Sequence, residues 1–365
     1  MNRRQFLLAS GLFITLPKTL LAETGDYSPV MSASRLEKGK FRIGQWQKDG
    51  WATAVDIPHR GHDSCAHSKN QELLFFSRRP DREIFILDAR NGQPKQQVMA
   101  QDGYHYYGHG CLDAQERFLY TTENHVAGDG QGAIGVYDSQ DNYRFVKHLS
   151  CAGIGPHQLA MMPDNKTLVV AVGGIKTLPQ HGRDTLNFDS MAPALNYIDI
   201  DSGELLESQA SPHQHLSLRH LDVGSQGLVV VGGQYQGSLP APLPLVYQHQ
   251  RGKPLQAMDT GDVPLRLNKS YVASISIDSL QHYAVSTCPR DNTVCLWNLA
   301  NGQLQQSFRL LDCAGAVYDA RYQQFILSNG RGQLMALSPG SPALRPLAYA
   351  SGIHWDNHLR LAQPS

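Results

Sequence analysis

The chain carries no net charge: 32 Lys and Arg balance 32 Asp and Glu over 365 residues. Phosphate neutralisation needs a clustered basic excess, so this composition argues against a nucleic-acid partner. No Lys/Arg run marks an anionic membrane surface. After residue 22 no apolar run is long enough to span a bilayer. The motifs HExxH, GxSxG and CxxCH are all absent, which removes the usual signatures of zinc peptidases, serine hydrolases and attached c-type haem. Gly128-Asp129-Gly130-Gln131-Gly132 precedes no helical pattern, so a tight turn explains it better than a phosphate cradle. Charged residues make up only 18 % of the chain, while Gly (33) and Pro (20) are plentiful. That mixture suits many short strands joined by turns.

The first residues read as an export segment. Asn2-Arg3-Arg4-Gln5-Phe6-Leu7-Leu8 leads into an apolar stretch over 8–21 broken by Pro17, with Leu20-Leu21-Ala22 as the cleavage site. Arg3-Arg4 ahead of Phe6-Leu7 resembles a twin-arginine signal, with an ordinary secretory signal or an uncleaved anchor as alternatives. The division expected is 1–22 export signal, 23–39 irregular, and 40–365 one domain, in a periplasmic protein. Six cysteines remain. Cys288 and Cys295 flank the turn Pro289-Arg290-Asp291-Asn292, so a cross-strand disulfide between them is possible but geometrically demanding.

Histidine is frequent, 16 in all, and it recurs with order. Gly61-His62-Asp63, Gly108-His109-Gly110, Gly155-Pro156-His157, Leu218-Arg219-His220 and Ile353-His354-Trp355 each set a histidine at or near the start of an apolar segment. The first three histidines are spaced by 47 and 48 residues; His220 follows 63 residues later because the third unit carries an insertion. Between them run self-similar units of about four strands. Several units end their third strand on an Asp or Asn followed four residues on by Gly: Asp88 and Gly92, Asp199 and Gly203, Asn298 and Gly302. Units of forty to fifty residues with evenly spaced strands indicate a β-propeller. Six units are complete, and a seventh would join strands near 354–361 to two N-terminal strands, hiding the last open edge. The expectation is an all-β, seven-bladed ring, with six or eight blades as alternatives.

In such a ring the first strand of each blade lines the axis. His62, His109, His157, His220 and His354 would then converge at one channel mouth. The turns after the second strands reach the same face with Arg78, Arg79, Glu123, His125, Arg290 and Arg331. Converging imidazoles can hold Fe, Cu or Zn, and guanidinium suits carboxylate and phosphate. The candidate metal ligands are therefore the five histidines, and the candidate ligand-binding residues are Arg79, Glu123, His125, Arg219, Arg290 and Arg331. The alternative is that the histidines only bond neighbouring loops.

Some runs are distinctive. They are Ser77-Arg78-Arg79-Pro80, Thr122-Glu123-Asn124, Gly132-Ala133-Ile134-Gly135-Val136-Tyr137-Asp138, Gly173-Gly174-Ile175-Lys176-Thr177, Leu186-Asn187-Phe188-Asp189-Ser190-Met191 and Leu216-Ser217-Leu218-Arg219-His220-Leu221. With them the chain resembles, over nearly its whole mature length, a family of exported bacterial β-propellers of unknown function. Members are usually encoded beside imelysin-type periplasmic iron-uptake proteins and a di-haem, peroxidase-like protein. The resemblance implies a periplasmic role in iron acquisition with such partners, and it brings no catalytic residues. More loosely, the chain resembles quinoprotein and nitrous-oxide-reductase propellers, some of which hold copper on an axial histidine ring. Three roles stay open: a metal-binding accessory protein, an interaction scaffold with structural histidines, and, ranked last, a metal-dependent enzyme.

Overall fold

The computed structural model describes residues 25–362 apart from 49, 183, 238–242 and 262–270; the expected export segment lies outside them. Seven antiparallel sheets stand around an axis, six of them built from four consecutive strands. Their innermost strands are Gly61–His67, Tyr104–Leu112, Pro156–Met161, Leu216–Val223, Ser274–Ile277 and Cys313–Asp319. None of the described helices is long and apolar enough to cross a membrane.

The sequence explains the layering within a blade. Second strands such as Glu72–Ser77 and Thr167–Val172 are buried at every position, because neighbouring blades cover both faces and both must be apolar. Outermost strands such as Leu205–Ala210 and Gln303–Arg309 are largely exposed and polar, which blunts a free edge. The Asp/Asn-to-Gly turns form as their spacing predicts. The amide of Gly92 donates to the Asp88 carbonyl at 2.8 Å, and Gly203 and Gly302 do the same to Asp199 and Asn298 at 2.9 Å.

The seventh sheet closes the ring from both ends of the chain. Val30–Leu36 pairs with Phe41–Gln47, which pairs with Gly50–Ile57; on its other side Val30–Leu36 receives Ile353–Trp355 and then Arg360–Leu361. Two expectations are corrected here. The segment 23–39 is not irregular throughout, and three N-terminal strands, not two, enter this blade. Val30–Leu36 reads as polar because of Ser32 and Ser34, yet both serines are buried: the Ser32 hydroxyl donates to the His358 carbonyl at 2.9 Å and Ser34 to the Arg42 carbonyl at 3.3 Å. All six cysteines are free thiols. Cys288 lies opposite Thr293 while Cys295 lies opposite Ser286, so the two stand diagonally across the hairpin.

Candidate metal centre

Five of the six inner strands share a defect that Ser274–Ile277 lacks. Ladder register slips between Gly61 and Ser64, Tyr106 and Gly110, Pro156 and Gln158, Leu218 and His220, and Cys313 and Ala316. In the closing blade the inner strand breaks outright between Trp355 and Arg360. A bulge bends its strand and re-aims a side chain. His62, His109, His157 and His220 sit in or at the edge of these slips, and His358 sits in the break.

The result is a closed cycle of imidazoles on the axis. Ring centroids are 4.8 Å apart from His62 to His109, 4.9 Å from His109 to His157, 4.7 Å from His157 to His220, 4.8 Å from His220 to His358 and 4.6 Å from His358 back to His62. His109 is also 4.6 Å from His358 and 5.8 Å from His220, so it touches all four others. Within His62, His109 and His358, and again within His109, His157 and His220, one ring nitrogen from each lies within 4.8 Å of the others. All but His157 are buried.

Second contacts fix which nitrogen faces inward. Asp356 Oδ1 lies 2.9 Å from His62 Nδ1, and Asp63 Oδ2 lies 3.0 Å from His109 Nδ1. A carboxylate accepts only, so each Nδ1 carries the proton and Nε2 is left as the lone-pair donor. His220 Nδ1 faces Gln158 Oε1 at 3.4 Å, and that amide is oriented by its own NH2, which donates to the Leu221 carbonyl at 2.9 Å. The carboxylates are held in turn. Arg360 donates to Asp63 through Nε at 2.9 Å and Nη2 at 2.7 Å, and Arg60 Nε donates to Asp356 at 2.5 Å. Two Arg–Asp–His chains thus support the cluster.

Burial keeps the imidazoles neutral. It pushes His62 down to about 4, against the bond to Asp356, and lowers His109 despite Asp63. His157, His220 and His358 fall well below the ordinary histidine range, first through burial and then through neighbouring cations and imidazoles. Asp63 is disfavoured as an anion by burial, yet Arg360 and the imidazoles around it hold it well below the usual carboxylate range. The cluster is therefore a set of neutral nitrogen donors at neutral pH. The Nε2 atoms of His109 and His358 are buried with no hydrogen-bond partner.

Two glycines allow this packing. Gly108 has φ +101°, and a Cβ there would lie 2.9 Å from His62 Cδ2. A Cβ at Gly315 would lie 2.7 Å from the Leu359 amide nitrogen, so its absence lets the 357–359 backbone reach the axis. Gly108→Ala is expected to cost about 1–3 kcal/mol from the left-handed backbone alone, and to displace the His62 ring. Denaturant midpoints together with the His62 imidazole NMR signal check this; an unchanged midpoint and an unmoved signal would refute it.

Above the cluster lies a cavity of about 270 Å³. His62, His157 and His220 form its base, and Arg78, Arg79, Arg219 and Arg290 line it with Tyr107 and Tyr271. Arg79 Nη1 donates to Thr177 Oγ1 at 2.7 Å, and the Arg290 guanidinium lies 5.1 Å from the Tyr271 ring centre.

Four of the five expected histidines come together, as do Arg79, Arg219 and Arg290; the other four expected residues do not join them. His354 lies apart in a separate cleft, with Nδ1 2.6 Å from the Gly330 carbonyl. It pairs within the strand, opposite Arg35, before the break that turns His358 inward. Glu123 is wholly buried inside its blade, accepting from Thr121 Oγ1 and Tyr137 OH at 2.7 Å and paired with His148 Nε2 at 2.9 Å. Glu123 was expected in the turn after the second strand, but the strand Phe118–His125 continues through it, which draws Glu123 into the sheet opposite Ala133. His125, at the end of that strand, stacks on Tyr104 at 4.3 Å. Arg331 is exposed in its turn and does not line the cavity. Sequence reading missed His358, Asp356, Arg60 and Arg360. One signal was available: Asn357-His358-Leu359 echoes Arg219-His220-Leu221.

A family model described as a protein of unknown function (DUF1513) matches residues 55–362. None of the curated proteins matches the sequence. Among solved structures, the chain is similar to hydrazine synthase of Kuenenia stuttgartiensis, at 14 % identity and TM-score 0.62, covering 88 % of this chain and 99 % of that one. It is also similar to U3-55K, at 10 % identity and TM-score 0.59, covering 80 % and 82 %. At such identities the likeness speaks to the fold alone.

Proposed function

We propose, from the premise that this chain belongs to the DUF1513 family of proteins of unknown function, that it binds one transition-metal ion on its axial imidazoles. The observation that carries this reading is the pair of buried Nε2 atoms on His109 and His358 without partners. A buried polar atom without a partner is costly; a cation would satisfy the His109 lone pair and, with His358 as its Nδ1–H tautomer, that of His358 as well. Neutral imidazole oriented by a carboxylate suits Fe, Cu or Zn. Ligation at the usual metal–nitrogen distance of about 2.0–2.1 Å would draw the rings somewhat closer.

In this reading the protein is an exported, periplasmic accessory factor of iron handling. The Arg3-Arg4 segment and the family resemblance support the location and the iron link, with an imelysin-type or di-haem protein as the partner. The fold supplies the positions, and no side-chain set assigns a reaction.

Metal analysis of the full chain tests the core claim. One Fe, Cu or Zn per chain is expected, dropping at least tenfold in His109→Ala and His358→Ala and unchanged in His354→Ala. Substoichiometric metal that ignores the first two substitutions would overturn it. That outcome would leave the scaffold reading, in which the rings only tie blades together.

A further inference from the structure

The cavity over the imidazoles has an unusual lining. Four guanidiniums face it, and among the described residues no Asp or Glu does. Arg219 decides its character. It stands in the slip of its inner strand, beside His220, and its Nε donates to Ser217 Oγ at 3.1 Å. A half-buried, tethered guanidinium beside other guanidiniums suits an anion that arrives between them. A metal ion on neutral imidazoles would add further positive charge. The volume, about 270 Å³, suits a small-molecule guest.

We infer that this cavity binds a small multivalent oxyanion, a di- or tricarboxylate or a phosphate, seated on Arg219 and its neighbouring arginines with one oxygen turned down toward the imidazoles. The inference deepens the metal-site reading, on which only the downward contact rests; the guanidinium seat stands without it. A metal held on the imidazoles would add its own attraction for that oxygen.

Calorimetry on the metal-free full chain tests the seat, with citrate, inorganic phosphate and acetate as probes. Citrate or phosphate is expected to bind, and the stronger of the two identifies the source; acetate should bind at least tenfold more weakly. Arg219→Gln should weaken the binding about ten- to hundredfold, the usual loss for a charge-assisted bond, and Arg219→Lys should restore part of it. Arg290→Gln provides a second variant should Arg219→Gln fail to fold. Retained citrate binding by metal-free His109→Ala protein supports the guanidinium seat even if no metal ever loads. Absence of citrate and phosphate binding at millimolar concentration, equal binding of acetate, or normal binding in both arginine variants would overturn the inference.

Discussion

Asp63→Ala is expected to destabilise the protein by about 3–5 kcal/mol, the usual result of removing one partner from a buried ion pair. Asp63 is almost fully buried and accepts four bonds: Arg360 Nε at 2.9 Å, Arg360 Nη2 at 2.7 Å, His109 Nδ1 at 3.0 Å and the Ser64 amide at 2.8 Å. Its loss strands a guanidinium, an imidazole N–H and a backbone N–H together. The Arg360 side chain keeps 32 % exposure, so water offsets part of the penalty and the lower end of the range is favoured. Denaturant titration measures the loss. The double variant Asp63→Ala with Arg360→Met should recover more than half of it, since the stranded charge is gone. A loss below about 1 kcal/mol in the single variant would show that the pair contributes little. Metal content separates this from a general fault: it should fall even under conditions where the variant is fully folded, because His109 loses the group that fixes its tautomer.

The metal-free protein should also be unusually acid-labile. The five clustered imidazoles titrate near 6.5 in an unfolded chain, and burial lowers all of them in the folded one. Between those values the unfolded chain binds more protons, so stability must fall as pH drops. The contribution is fully present above about 6.5 and is lost progressively below it. His62 alone, lowered to about 4, accounts for about 3 kcal/mol once the pH has passed below that value. Asp63 and Asp356, both held well below the usual carboxylate range, add a loss of the same sign at more acidic pH. The measurement is unfolding free energy between pH 7.5 and 4.5. A slope of at least two protons, roughly 3 kcal/mol per pH unit, is expected near pH 5. A flat profile from pH 7 to 5 would mean that the imidazoles titrate normally. Bound metal should protect against acid until its ligands are protonated.

The ring itself was legible in the sequence, for a physical reason. Turns such as Asp88 to Gly92 need a left-handed glycine closing an Asx bend, so they leave the same residues at the same offset in several blades. The doubly covered second strands leave continuous apolar runs. His62, His109, His157 and His220 were legible because successive blades repeat their bulge at nearly constant spacing. His358 was not, since the closing blade is assembled from two distant segments and its inner strand is broken where the others only slip. The pattern pointed to His354, the residue that continues the strand, and away from the one expelled from it. Glu123 was misplaced because nothing in Phe118–His125 announces that a carboxylate is buried inside a sheet. Gly135 makes room for it: a Cβ there would stand 1.9 Å from Glu123 Oε1.

The same nine residues, 353–361, both latch the ring and bring Asp356, His358 and Arg360 to the axis. They are made after the other six blades. No partly made or unlatched molecule can present the full donor set, so on the proposed reading a metal would load only after closure. Occupancy would then serve as a built-in certificate of completed folding. A protease that trimmed this latch would empty the centre while leaving six blades' worth of sequence untouched.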